Sequence, residues 1–175
     1  MRQKVTALRL NDFMRALSSD VITPTRVFLV GGATAVLFGW RDSTVDVGLK
    51  ILPDSDEVLR KLPLLKERFQ INIELAAPDD FIPPLPAWEE RSRFIAQNGK
   101  LTFLHYDLYA QALAKIERWH ETDENDVHEL LSRKLIDPKT LGDLYLRIED
   151  QLYRYPAVDK PSFRERVQLV INRRQ

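Results

Sequence analysis

The sequence predicts an α+β fold, in which a β-sheet with flanking helices is followed by a helical C-terminal region. Short apolar stretches typical of strands alternate with helical patterns up to about residue 105, and only helical patterns follow. The chain has 175 residues, of which 44% are hydrophobic and 30% charged, which is sufficient for a packed core. We therefore predict an α/β core at 1–105 and a helical region at 106–175 that packs on it.

The composition argues against several classes of protein. Lys plus Arg and Asp plus Glu both number 26, so the net charge of zero gives no strong signal for nucleic-acid binding. The absence of cysteine excludes disulfides, thiolate catalysis and cysteine zinc sites. The charged N-terminus does not resemble a signal peptide, and no apolar run approaches the roughly 18 residues of a membrane span. We expect a cytoplasmic protein without a membrane partner.

The first elements of the core are predicted from apolar spacing. A helical pattern covers 10–17, and a β-rich apolar strand covers 26–30. Gly31-Gly32 ends that strand and opens a short helix at 33–38. A second strand is expected over 44–52, with Val45, Val47, Leu49 and Ile51 on one face.

The later elements follow from capping, alternation and turn signals. Asp54, with Glu57 three residues later, predicts a helix start, and Pro63 predicts an interruption of that helix. Strict alternation predicts a third strand, and Asn98-Gly99 predicts a hairpin. These strands are expected at 70–75, 91–96 and 100–104. Helices are then expected at 106–119, 124–132, 138–152 and 162–171.

Acidic side chains are predicted on one face of two strands. Asp46 and position 48 share a face of the second strand, and Glu74 lies on the third. Convergent carboxylates suit Mg²⁺, a cation that prefers oxygen ligands, and two such ions can align an in-line attack on a nucleotide. Paired glycines at a helix start let backbone N–H groups approach phosphate.

These motifs, in this order, resemble a known family. Gly31-Gly32 followed by Arg41-Asp42-Ser43-Thr44-Val45-Asp46-Val47 is similar to the signature of the DNA polymerase beta-like nucleotidyltransferase superfamily. The similarity is greatest to small stand-alone prokaryotic members, some of which are toxin–antitoxin components. It extends from about residue 26 to 132 through Asp80-Phe81-Ile82-Pro83, Trp88-x-x-Arg91, Leu113-Ala114-Lys115-Ile116-Glu117-Arg118 and Asp123-Glu124-Asn125-Asp126-Val127.

The resemblance implies a nucleotidyltransferase-like mixed sheet and, if the chain is active, Mg²⁺-dependent transfer of a nucleoside monophosphate from a triphosphate to a hydroxyl group. It implies metal ligands at Asp46 and Glu74. The implied catalytic residues are Asp46, Glu74, Lys115 and Asp126. The implied nucleotide-binding residues are Gly31, Gly32, Arg41, Ser43, Thr44 and Arg118.

Gly48 departs from the pattern of the family, which has a second Asp at this position. Glycine supplies no carboxylate, so we predict that metal-dependent transfer is absent or severely weakened. The alternative is a non-catalytic regulator that binds a nucleotide or a protein partner, such as a toxin–antitoxin component.

The same residues also have purely structural explanations. Asp46 could pair with Arg41, and Glu74 could be a solvated residue of an amphipathic strand. Lys115 and Arg118 could form only an exposed helix face. Asp123 could be a helix N-cap.

Overall fold

The computed structural model describes residues 2–173, and within them the chain forms two compact units. The first unit comprises the chain up to Ala77 together with Ser92–Tyr106, and it contains the β-sheet. The second comprises Pro78–Arg91 together with the chain from Asp107 onward, and its described regular elements are helical. The predicted α+β fold class is confirmed.

Within its described residues, the first unit contains four helices and five strands. The strands are β1 Thr25–Val30, β2 Asp46–Leu52, β3 Asn72–Glu74, β4 Arg93–Asn98 and β5 Leu101–His105. The helices are α1 Ala7–Ser18, α2 Gly32–Phe38, α3 Asp56–Leu59 and α4 Lys61–Arg68. Each predicted strand and the predicted hairpin is therefore present, with ends that differ by a few residues.

The sheet is mixed and has the strand order β3-β2-β1-β5-β4. β1 runs antiparallel to β2 and parallel to β5, β2 runs parallel to β3, and β4 runs antiparallel to β5. The register pairs Val30 with Gly48 and Gly48 with Glu74. These pairings place the acidic face of β2 between the end of β1 and the short strand β3.

The alternation along β2 separates the core from the candidate site. Val47, Leu49 and Ile51 are buried, whereas Asp46 and Lys50 on the opposite face are half-buried. Because successive side chains of a strand point to opposite faces, burial of the apolar residues fixes the direction in which Asp46 and Lys50 point. The expectation that Val45 joins the apolar face is wrong, since it precedes β2 and is 57% exposed.

The apolar face of the sheet is covered by α1. Thr6 is the N-cap of this helix, and its hydroxyl accepts a hydrogen bond from the Arg9 N–H group. Leu10, Phe13 and Leu17, at helical spacing, are fully buried. Full burial of each such side chain stabilises the unit by about 1.5–3 kcal/mol.

Of two predictions about the segment after β2, the capping box is wrong and the helix interruption is confirmed. Ser55, rather than Asp54, is the N-cap of α3, and its hydroxyl accepts from the Val58 N–H group. Glu57 accepts hydrogen bonds from the backbone N–H groups of the 22–23 turn instead of completing a capping box. The predicted interruption of this helix is confirmed, because α3 ends at Leu59 and α4 begins at Lys61. Pro63 lies in the first turn of α4, where a missing N–H group is tolerated.

The second unit consists of helices with side-chain caps and an aromatic core. Its helices are α5 Trp88–Arg91, α6 Leu108–Arg118, α7 Glu121–Ser132, α8 Pro138–Glu149 and α9 Lys160–Asn172. Asp107, Asp137 and Asp159 cap α6, α8 and α9, respectively. Tyr145 and Phe163 pack edge to face, with ring centroids 5.0 Å apart. No helix in the described part of the chain combines the length and apolarity needed to span a bilayer.

Candidate functional site

The Gly31-Gly32 turn connects β1 to α2 through a backbone conformation that favours glycine. Gly31 has φ +64°, and its carbonyl accepts a hydrogen bond from the Ala35 N–H group at 3.1 Å. A side chain at Gly31 would meet no neighbouring atom within 4 Å, so the positive φ accounts for glycine at this position.

Gly32 is explained by its close approach to Thr44. An ideal Cβ atom on residue 32 would lie 2.0 Å from Thr44 Oγ1 and 2.7 Å from Thr44 Cβ, so no side chain can be accommodated. The Thr44 hydroxyl donates to the backbone carbonyl of Asp46 at 3.0 Å. The second glycine therefore brings the start of α2 against the segment that leads into the acidic face of β2.

Asn72 joins the two acidic residues of the predicted metal site. Its Nδ2 donates to Asp46 Oδ1 at 2.6 Å and to Glu74 Oε1 at 3.2 Å, and its Oδ1 accepts from the Arg2 guanidinium. Glu74 is solvent-exposed, and Asp46 is half-buried. The structure thus brings Asp46 and Glu74 together around an amide. Alternation places Asn72 and Glu74 on the same face, and this signal could have identified Asn72 as part of the site.

Val30 occupies the space next to position 48. An ideal Cβ atom on residue 48 would lie 2.6 Å from Val30 Cγ2 and 3.6 Å from the carbonyl oxygens of Val30 and Ala76. Val30 is only 8% exposed and is held by the β1–β2 pairing. The position of the expected second carboxylate is therefore closed by a neighbouring side chain.

The donor set does not suit a pair of divalent cations. Among residues 2–173, no three His, Cys, Asp or Glu side chains group as metal ligands. Asp46 and Glu74 accept hydrogen bonds from the same amide, and position 48 contributes no oxygen. Because Mg²⁺ requires several oxygen ligands and near-ideal octahedral geometry, these side chains do not fit a two-metal centre.

An open pocket of about 330 Å³ lies beside this acidic pair. It is lined by Lys4, Arg41, Ser43, Thr44, Val45 and Asp46. Four of these residues were predicted as ligands of nucleotide or metal. Lys4 was not predicted, because no motif links it to a segment about 40 positions later in the chain.

His105, at the end of β5, packs against two residues of α2. Its Nδ1 lies 3.1 Å from Thr34 Oγ1, and its ring stacks on Phe38 with centroids 4.4 Å apart. Burial, together with the positive charge of Arg93, lowers the pKa of His105 to about 4. The imidazole is therefore neutral near pH 7 and serves as a packed hydrogen-bonding group.

In the second unit, Lys115 lies between two buried carboxylates. Its Nζ is 2.7 Å from Asp126 Oδ2 and 3.4 Å from Asp123 Oδ1, and both Asp side chains are fully buried. The Lys115 side chain is only 11% exposed, so its interpretation as part of an exposed helix face is wrong. The structure therefore brings the predicted residues Lys115 and Asp126 together as an ion pair between α6 and α7.

Arg118 completes this ionic cluster. It donates to Asp123 through Nε at 2.8 Å and through Nη2 at 2.6 Å. Burial raises the pKa of Asp123, but the Arg118 hydrogen bonds and the charges of Lys115 and Arg118 outweigh burial and lower it overall. Asp123 is not the N-cap of α7, because His120 takes that position and donates its N–H to the Asp123 carboxylate.

Arg91 and Asp107 form a second ion pair in the helical unit. The guanidinium donates to Asp107 Oδ2 through Nε at 3.1 Å and Nη2 at 2.7 Å, and through Nη1 to the Pro86 carbonyl. Burial raises the pKa of Asp107 despite the opposing charge of Arg91. The Trp88-x-x-Arg91 segment is thereby attached to the N-cap of α6.

The mixed sheet, the glycine turn and the acidic face of β2 define a nucleotidyltransferase-like protein. Residues 6–171 match the model of a family described as nucleotidyltransferase of unknown function (DUF6036), and the chain belongs to this family. Comparison with curated proteins and with solved structures found no match. The predicted relationship to the nucleotidyltransferase superfamily is confirmed.

Proposed function

We propose that this chain retains a nucleotidyltransferase fold in which metal-dependent nucleotidyl transfer is absent or severely weakened. The observation that carries the proposal is the packing at position 48. Val30 Cγ2 lies 2.6 Å from the place of a Cβ atom there, so the missing carboxylate is matched by a neighbour that fills its space.

The chemistry of transfer explains why this position matters. The reaction concentrates negative charge on the attacking oxygen and on the departing pyrophosphate, and two metal ions held by convergent carboxylates normally offset it. Here the remaining pair, Asp46 and Glu74, shares the Asn72 amide as a donor. Both carboxylates already accept hydrogen bonds from this amide. They would have to give up these bonds to bind Mg²⁺, an ion that loses its own water ligands reluctantly, so the pair is poorly suited to hold two such ions.

Restoration of the second carboxylate tests this proposal. Because Gly48→Asp alone would clash with Val30, the informative variant is Val30→Ala/Gly48→Asp, with Val30→Ala as its matched control. Each protein is incubated with α-phosphate-labelled ATP, GTP, CTP or UTP, Mg²⁺ or Mn²⁺, and a cell extract that supplies acceptors. We expect label on an acceptor only with the double variant. A double variant that folds but transfers no label would contradict the proposal that Gly48 is the cause of the absent or weakened transfer.

The second candidate function is nucleotide binding without catalysis, in a regulatory role. It is supported by the pocket in which Arg41, Ser43 and Thr44 lie beside Asp46. Calorimetric titration of the wild-type chain with each of the four nucleoside triphosphates tests this function. A measurable Kd for any of them supports it, and no heat of binding with all four would contradict it and direct attention to a protein partner.

A further inference from the structure

We propose that Lys4, which lines the pocket beside Asp46, is a phosphate-binding residue, so that a polyphosphate chain binds there without a divalent metal. This inference rests on the second candidate function, nucleotide binding. It adds a residue that the motifs do not contain, and it specifies the part of the ligand that is recognised.

The segment around Lys4 is held by backbone hydrogen bonds on both sides. The Gln3 N–H group donates to the Gln70 carbonyl at 2.8 Å. Val5 and Thr44 exchange two backbone hydrogen bonds, at 2.7 and 3.0 Å, and the Val5 side chain is fully buried. Since neighbouring residues of an extended segment point in opposite directions, burial of Val5 directs Lys4 away from the core and towards the pocket.

Arg2 connects the same segment to the acidic pair. Its guanidinium donates to Asn72, whose amide holds Asp46 and Glu74. The segment therefore contributes two cations close to the place where the resemblance implies metal ions. Asp46, whose Oδ1 accepts from Asn72, is the single carboxylate among the pocket-lining residues.

The charge of the lining suits an anion. Lys4 and Arg41 give two positive charges against the one negative charge of Asp46. Lys4 is exposed and makes no salt bridge within residues 2–173, so its ammonium remains available to a ligand. An ammonium and a guanidinium can form charge-assisted hydrogen bonds with phosphate oxygens and neutralise part of the charge that a metal ion would otherwise offset.

The lining also predicts which part of a nucleotide is recognised. Val45 is the single apolar residue of the six, and none of them has an aromatic ring on which a base could stack. A volume of about 330 Å³ is at the low end for small-molecule pockets. We therefore expect recognition of the phosphate chain, with little discrimination among the four bases.

Calorimetry with inorganic triphosphate and with ATP, each in EDTA and in Mg²⁺, tests the inference. We expect wild-type Kd values that agree within about threefold between the two buffers, because the protein's own cations neutralise the phosphates. Loss of one charge-assisted contact in Lys4→Ala should weaken both ligands roughly tenfold. Lys4→Arg should keep most of the affinity. The matched control is Lys100→Ala, an exposed lysine of the β4–β5 turn, which should bind as the wild type does.

The possible results separate this inference from the function on which it rests. Wild-type binding of ATP that requires Mg²⁺, or that is unchanged in Lys4→Ala, overturns the role of Lys4 and leaves nucleotide binding intact. An equal loss of affinity in Lys100→Ala would also overturn it, since the loss would then reflect the net charge of the protein and not a contact made by Lys4. Absence of binding to both ligands in both buffers overturns the inference and nucleotide binding together. Circular dichroism of each variant verifies that it is folded.

Discussion

Val30 Cγ2 lies 2.6 Å from the point where a Cβ atom on residue 48 would stand, and Val30 and Gly48 are direct cross-strand partners in β1 and β2. The glycine therefore allows a buried valine to pack at the end of β1, in space that a side chain on residue 48 would need. The absence of a side chain at residue 48 and the packing of the strand pair are linked.

This link predicts non-additive stability effects. Gly48→Asp should lower the free energy of unfolding by about 1–3 kcal/mol, because the new Cβ atom overpacks against Val30. Val30→Ala alone should lower it by roughly 2 kcal/mol through lost burial. In Val30→Ala/Gly48→Asp the clash is relieved, so the combined loss should be smaller than the sum by about 1 kcal/mol. Urea unfolding of the four proteins measures this coupling, and strictly additive losses would show that the two positions do not compete for space.

Asn72 is predicted to hold Asp46 and Glu74 together without metal. Asn72→Asp would replace the shared donor by a third carboxylate between two others. We expect a lower melting temperature in EDTA, by about 2–4 °C, and recovery when Mn²⁺ is added.

Thermal unfolding with and without Mn²⁺ measures this effect. The wild type should show little response, as should Asn11→Asp, which changes an exposed residue of α1. A large Mn²⁺ stabilisation of the wild type would contradict the interpretation of Asn72 as a substitute for metal.

His105 predicts a pH dependence of stability. Its pKa is about 4 in the folded chain and 6.5 in the unfolded chain. Between these values the unfolded chain binds more protons than the folded chain. The contribution of His105 to the free energy of unfolding is therefore fully present above pH 6.5 and is lost as the pH is lowered towards 4. The loss should reach about 3 kcal/mol.

His105→Gln isolates this contribution, because glutamine keeps a hydrogen-bonding side chain and does not titrate. The difference in unfolding free energy between wild type and variant is measured by urea titration from pH 4 to pH 7. We expect it to change with pH only below about pH 6.5. A constant difference across this range would show that His105 is not buried in the neutral form.

Lys115 is predicted to be essential for the stability of the helical unit. Lys115→Met would leave the buried carboxylates of Asp123 and Asp126 without their shared cation, which should cost roughly 3–5 kcal/mol. Lys139→Met is the matched control, because its pair with Asp143 is 85% and 62% exposed and should contribute less than about 1 kcal/mol. Denaturant unfolding compares them, and similar small losses in both would refute the structural role of Lys115.

Much of the fold could be predicted because its signals are local. Asn98-Gly99 predicts a hairpin turn, and the alternation around Val47 and Ile73 predicts strands; both are present in the structure. Helix starts were less predictable. Asp54 and Ser55 are both good N-caps, and the sequence does not show that Ser55 takes this position while Glu57 bonds to the distant 22–23 turn.

The candidate site could be predicted only in part, because its decisive contacts are non-local. The sequence identifies Asp46 and the absence of a carboxylate at Gly48, but the cross-strand register is needed to place Val30 beside that glycine. Lys4 enters the pocket through a bridge between Val5 and Thr44, which no motif encodes.

The transfer activity of the wild-type chain, compared with that of Asp46→Ala, tests most directly whether metal-dependent nucleotidyl transfer is absent or severely weakened. Both proteins are incubated with the four α-phosphate-labelled nucleoside triphosphates, Mn²⁺ and a cell extract, and covalently bound label is counted. We expect equal, background labelling by the two proteins. Labelling by the wild type that is lost in Asp46→Ala would contradict this expectation, and would show that this acidic face performs metal-dependent transfer without a carboxylate at residue 48.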